Sequence, residues 1–131
     1  MSQTNIKRVP APRLLVVEDD ELGRKAMERY FRREFAVHVA KDGREGLEMA
    51  LESRFDVILS DMDMPRMGGR EMYERLVAAF PEYRERTVFM TGGPHRIDDL
   101  RWLEDGREWM RKPMDFSEVV RTLWARAMPP E

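Results

Sequence analysis

Short apolar runs alternate with amphipathic stretches along most of the chain. Leu14 to Val17 is a continuous apolar run of strand length that ends abruptly in Glu18, Asp19, Asp20 and Glu21. Leu22, Ala26, Met27, Tyr30 and Phe31 then recur at helical spacing, with Arg24, Lys25, Glu28 and Arg29 off that face, so a helix is predicted with Asp20 as its N-cap. From Phe35 to Ala40 the pattern alternates, Val37 and Val39 one way and His38 the other, as in a strand near a sheet edge. Asp42 and Gly43 turn the chain into a second helix carrying Leu47, Ala50 and Leu51. Val57, Ile58 and Leu59 form a run too short for a helix, and Pro65, Gly68 and Gly69 stop it, which predicts a central strand delivering Asp61 to its end.

The third helix is predicted from Gly69 to Phe80, burying Met72, Leu76, Ala79 and Phe80, with Pro81 closing it. Thr87 to Met90 reads as a fourth strand running into Thr91, Gly92, Gly93 and Pro94. Pro94 fits the first turn of a helix that uses Ile97, Leu100 and Leu103. Trp109 and Met110 make a short last strand leading into Arg111, Lys112 and Pro113. Phe116, Val119, Val120, Leu123, Trp124 and Ala127 trace the final helix, with Asp115 and Glu118 placed for a capping box. Five strands alternating with five helices, the central strands nearly all apolar, imply an α/β fold: a parallel sheet covered on both faces. Residues 1–12, polar with two prolines, read as a loose lead-in, residues 13–128 as one domain and residues 129–131 as a tail.

Composition narrows the function. At 131 residues the chain has the size of one domain. A net charge of −2 without long blocks of like charge gives no reason to expect nucleic acid or anionic lipid as partner. With no cysteine, disulfides, thiolate zinc sites and a cysteine nucleophile are excluded. No apolar run approaches membrane-spanning length and the first dozen residues lack a signal-peptide core, so a soluble cytoplasmic protein is expected.

In parallel open sheets, sites form outside the carboxyl ends of strands where strand order reverses. Glu18 and Asp19, Asp61, Thr91 and Lys112 all fall at such ends, from four different strands. A carboxylate at the sheet's mouth serves as nucleophile, metal ligand or both, because a lone buried charge neutralises itself.

LLVVEDDE at the first strand, DVILSDMDMPRMGG around the third, FMTGG after the fourth and RKP after the fifth resemble, in order and spacing, the CheY-like receiver domain of two-component response regulators. The resemblance runs from Leu14 to about Met128. It implies a flavodoxin-like sandwich with strand order 2-1-3-4-5 and a phosphoryl group accepted on Asp61 from a phosphohistidine of a sensor histidine kinase or phosphotransfer protein. It implies Mg2+ held by Asp19 and Asp61, with Glu18 acting through water and Asp63 offering its backbone carbonyl. Three carboxylates in one crevice repel unless a cation neutralises them, and magnesium wants about six oxygens. By the same resemblance Lys112 meets the developing phosphoryl charge, the bond to Pro113 is cis, and Thr91 gives its hydroxyl to the phosphoryl group. Trp109, standing where the family usually has Tyr or Phe, would repack as the switch and alter the surface of helix four, strand five and helix five that meets a downstream protein or a second copy of the chain. The bulk of Trp109 is expected to make that rotation partial, the Gly92–Gly93 pair to loosen the loop, and Asp63 to influence phosphoryl lifetime.

Plainer readings stand beside these. Asp20 and Glu21 suit a helix start, His38 and His95 have no partner cluster, and Trp109 and Trp124 suit packing, as do the methionines. LSDMDMP also matches the aspartate motif of haloacid-dehalogenase-type phosphatases, but those place it near the start of a longer chain. A phosphorylation-independent receiver-like module is a further alternative, against which the complete acid, Asp, Thr and Lys set counts. The chain reads as a stand-alone receiver or as one cut from a longer regulator or hybrid kinase.

Overall fold

A computed structural model describes residues 10–93 and 97–128. Five strands and five helices alternate: β1 (Arg13–Val17), α1 (Glu21–Phe31), β2 (Ala36–Ala40), α2 (Gly43–Glu52), β3 (Val57–Asp61), α3 (Gly69–Ala79), β4 (Thr87–Thr91), α4 (Ile97–Glu104), β5 (Glu108–Arg111) and α5 (Phe116–Ala127). The strands pair in parallel in the order β2-β1-β3-β4-β5, the flavodoxin-like order expected. The reversal of order lies between β1 and β3.

Period-two alternation splits the strand residues between two cores. Leu14, Val16, Val57, Leu59, Val88 and Met90 face α1 and α5, meeting Met27, Phe31, Val119 and Leu123. Leu15, Val17 and Ile58 face α2 and α3, meeting Ala50, Met72, Leu76 and Tyr83. With both faces covered, Leu14 to Val17 and Val57 to Leu59 are all 0% exposed, which is why they read as unbroken apolar runs.

Several predicted helix faces shift. On α1, Leu22 is 80% exposed and Ala26 is also exposed; the inward line passes through Gly23, Met27 and Phe31. Gly23 contributes no side chain, so the sequence pattern drew the stripe one position too far. On α2, Leu51 faces out, because the buried line is Gly43, Gly46 and Ala50. A Cβ on Gly46 would stand 3.0 Å from both Met72 and Val17, so α2 packs through its small residues. On α3, Ala79 and Phe80 are exposed, and Pro81 does more than close the helix: it opens a 3-10 turn, Pro81–Arg84, whose Tyr83 takes the core position instead. The Phe55 N–H donates to the Tyr83 hydroxyl oxygen at 2.8 Å, anchoring that ring at the foot of β3. On α4, Ile97 is 68% exposed and Leu103 is the buried residue. The Pro94 helix start, His95, the first nine residues of the lead-in and the tail fall outside the described residues.

An aspartate caps three of the helix starts, Asp20 as expected. At α5, in place of the expected capping box, Asp115 engages Ser117 and the Glu118 N–H donates to the Asp115 carbonyl at 2.9 Å. Asp20 accepts from Gly23 N at 2.8 Å, Asp42 from Glu45 N at 2.9 Å and Asp115 from Ser117 N at 3.0 Å.

Candidate functional site

Each functional side chain stands where its strand runs out. Asp61 is the last residue of β3 and Thr91 the last of β4, while Glu18 follows β1 and Lys112 follows β5. Glu18 is 1% exposed, and Asp61 and Thr91 5% each, so two carboxylates are buried side by side. The turn after β1 holds the first of them: Glu18 accepts the Asp20 N–H at 3.1 Å, and the Arg24 guanidinium donates to the Glu18 backbone carbonyl at 2.9 Å.

Lys112 joins the two buried acids. Its Nζ donates to Glu18 Oε1 at 2.7 Å and to Asp61 Oδ2 at 3.1 Å, across 94 and 51 residues of sequence. The Lys112 N–H donates to the Thr91 carbonyl at 2.8 Å, and the Lys112–Pro113 bond is cis. Burial alone would lower the lysine's pKa, but the Glu18 and Asp61 carboxylates outweigh it and hold the pKa above its ordinary value. Asp19 completes the acidic set: one carboxylate oxygen each from Glu18, Asp19 and Asp61 lies within 4.8 Å of the others. Asp19 is exposed at the rim, where partial desolvation, and then the Glu18 charge, push its carboxyl above its ordinary pKa.

Three carboxylates face one ammonium, a local excess of two negative charges. All-oxygen donors with that deficit fit a hard divalent cation such as magnesium, which takes one or two carboxylates and keeps waters. The Asp63 N–H reaches Asp61 Oδ1 at 3.5 Å, and its side chain is exposed. Thr91 does not point its proton at the acids: Oγ1 donates to the Gly93 carbonyl at 2.9 Å and accepts from Gly93 N at 3.3 Å. Trp109 is half-buried against Met62, Tyr73, Phe89 and Leu103, with the Arg111 guanidinium 5.5 Å from its ring centre.

The model of the response regulator receiver domain family matches residues 14–123. The chain belongs to that family. The receiver domain is 44% identical over 69 residues to the transcriptional activator protein PfeR of Pseudomonas aeruginosa, covering 52% of this chain and 23% of that protein. It is 31% identical over 120 residues to the transcriptional regulatory protein PcoR of Escherichia coli, covering 88% of this chain and 52% of that one. The chain thus spans between about a quarter and a half of the length of these relatives. Among solved structures, a Francisella response regulator receiver domain matches with a TM-score of 0.77 at 21% identity over 88% of this chain and 96% of that one. The receiver domain of a Pseudomonas aeruginosa sensor histidine kinase, solved with magnesium in its active-site cleft, matches with a TM-score of 0.76 at 24% identity over 89% and 98%. Among the described residues no helix is long and apolar enough to cross a membrane.

Sequence reasoning passed over three features beside this site. The Ser60 hydroxyl donates to the Asp61 carbonyl at 2.9 Å. An apolar groove of about 490 Å³ opens beside Glu18 and Lys112, lined by Gly23, Met27, Met114 and Phe116. Arg66 of the β3–α3 loop reaches Asp42 at 2.9 Å. None leaves a periodic trace, since each depends on contacts between separate elements.

Proposed function

We propose that this receiver domain is a phosphoacceptor in a two-component phosphorelay, with Asp61 taking a phosphoryl group from a phosphohistidine of a sensor histidine kinase or phosphotransfer protein. An Asp61 carboxylate oxygen attacks phosphorus, the P–N bond breaks, and the imidazole leaves with that electron pair, giving an aspartyl phosphate. Asp19, Asp61 and the Asp63 carbonyl, with Glu18 behind, would hold magnesium, which when bound would supply positive charge to the phosphoryl oxygens. Lys112 orients Asp61 before transfer and donates to the transferred group afterwards. Positioning and charge neutralisation account for most catalysis of phosphoryl transfer. The observation that carries the reading is the Lys112 ammonium shared between Asp61 and Glu18, because it fixes the orientation of the attacking carboxylate in a buried notch.

The switch follows from Thr91. To donate to a phosphoryl oxygen its single proton must leave the Gly93 carbonyl, so the β4–α4 loop loses one of the two bonds that Thr91 gives it. The loop leads into α4, whose Leu103 shares a cluster with Trp109. Phosphorylation adds roughly −1.5 to −2 charge and biases this element, changing the α4–β5–α5 surface presented to a downstream protein. The donor protein approaches over the groove beside Lys112, lined by Met27, Met114 and Phe116. The domain catalyses its own phosphoryl transfer and slow dephosphorylation, and it acts in the cytoplasm.

Tryptophan fluorescence during addition of magnesium and then beryllofluoride, a phosphoryl mimic, tests the reading. The wild type responds and Asp61→Ala does not; a silent wild type refutes it.

A further inference from the structure

The β3–α3 loop, residues 62–68, is fastened to α2 by an ion pair that phosphoryl acceptance does not use. Arg66 sits at φ 68°, in the left-handed region that glycine adopts freely and residues with side chains avoid. Its guanidinium donates to Asp42 Oδ2 at 2.9 Å, while Asp42 Oδ1 accepts the Glu45 N–H as the N-cap of α2. The Asp42 side chain is 4% exposed and that of Arg66 60%, so the pair is buried at the carboxylate and solvated at the guanidinium. A second strap runs alongside, Gly43 N donating to the Met67 carbonyl at 3.1 Å, where a Cβ on Gly43 would stand 2.4 Å from the same oxygen.

At its other end the loop carries Asp63. There the Asp63 N–H lies 3.5 Å from Asp61 Oδ1, at the limit of a hydrogen bond. Met62, just before Asp63, is bonded on both sides, its N–H to the Met90 carbonyl and its carbonyl to Gly69 N, each at 3.0 Å. Past Asp63 the loop is tied to α2 by Arg66 to Asp42 and Gly43 N to Met67. A disfavoured backbone conformation is held at Arg66, and the guanidinium contact offsets it.

We infer that Arg66 is a positioning residue whose ion pair with Asp42 holds the β3–α3 loop, and with it the Asp63 carbonyl, in register for magnesium binding beside Asp61. The inference rests on the magnesium-dependent phosphoacceptor reading. Arg66→Gly separates it from the alternatives because three effects carry different signs. Glycine relieves the backbone, which favours the fold. Removing a positive charge from the loop would, by Coulomb attraction alone, leave cation binding unchanged or stronger. Only loss of the strap weakens it.

Calorimetric titration with magnesium chloride and urea unfolding, on wild type, Arg66→Gly, Arg66→Lys and the pair Asp42→Asn with and without Arg66→Gly, read these effects apart. Arg66→Gly binds magnesium about tenfold more weakly, the low end for outer partners of metal sites, with its urea midpoint unchanged or raised. Arg66→Lys recovers part of the loss, and Asp42→Asn adds little once Arg66 is glycine, as coupled residues do. Unchanged or tighter binding in Arg66→Gly, beside a wild type that binds, overturns the inference and leaves the phosphoacceptor reading intact. A wild type that binds no magnesium overturns both.

Discussion

Replacing Lys112 with methionine keeps most of the stem and removes the ammonium that touches both Glu18 and Asp61. Breaking a buried pair by deleting one partner costs about 3–5 kcal/mol, because the charge left behind is uncompensated. The Lys112 side chain is 30% exposed, so water reaches part of the pair and about 2 kcal/mol is the expected loss in the presence of a chelator. Magnesium should return more than that. A ligand at a hundred times its dissociation constant stabilises by about 2.7 kcal/mol, and with no ammonium competing for the carboxylates the variant's own dissociation constant falls. Urea unfolding followed by circular dichroism, with chelator and with magnesium chloride, measures both terms. The variant is the less stable protein without metal and gains more from magnesium than the wild type. Equal stability in chelator, or a smaller magnesium response in the variant, refutes the electrostatic account of the site.

The same site sets a pH window. The Asp19 carboxyl is held above its ordinary pKa by partial desolvation and the Glu18 charge, so its stabilisation is complete below 3.8 and is lost as pH rises through the folded value. Magnesium relieves that loss, and the urea midpoint gained on adding it should shrink as pH falls through the folded Asp19 value. Asp42 has the opposite sign: the Glu45 N–H, with Arg66 assisting against burial, lowers its pKa, so its contribution is full above 3.8 and disappears as pH falls through the folded value. Asp42→Ala should cost about 1–2 kcal/mol at neutral pH in urea unfolding and remove that acid-side loss. In urea unfolding, Gly43→Ala drives a Cβ against the Met67 backbone carbonyl and should cost about 1–3 kcal/mol, whereas Gly92→Ala, with nothing within 4 Å, should change the unfolding free energy by less than about 0.5 kcal/mol.

Much of this was legible in the sequence, for a physical reason. A parallel sheet covered on both faces forces its strands to be continuously apolar, and it delivers whatever polar residue follows to one edge. Glu18, Asp61, Thr91 and Lys112 could therefore be assigned to a shared crevice before any contact was seen. The helix faces were less legible where small residues form the contact. Gly43 and Gly46 on α2 bury backbone rather than side chain, and half-buried Gly23 on α1 leaves a groove, none of which hydropathy registers. Tyr83 was invisible for another reason: it enters the core from a 3-10 turn that has no periodic pattern. The side-chain pairs that join separate elements also left no trace, among them Arg66 with Asp42 and the Trp102 ring lying 5.2 Å from the Arg70 guanidinium and 4.0 Å from that of Arg107.

The central claim is that the buried Asp61 oxygen held by Lys112 is the atom that accepts phosphorus. Incubation with a small acyl phosphate donor and magnesium, followed by intact and peptide mass spectrometry, addresses it without any knowledge of the partner kinase. The account predicts one added phosphoryl group, located on Asp61, dependent on magnesium and absent in Asp61→Ala. Phosphoryl addition at another residue, or none on a folded wild type that binds magnesium, would contradict it.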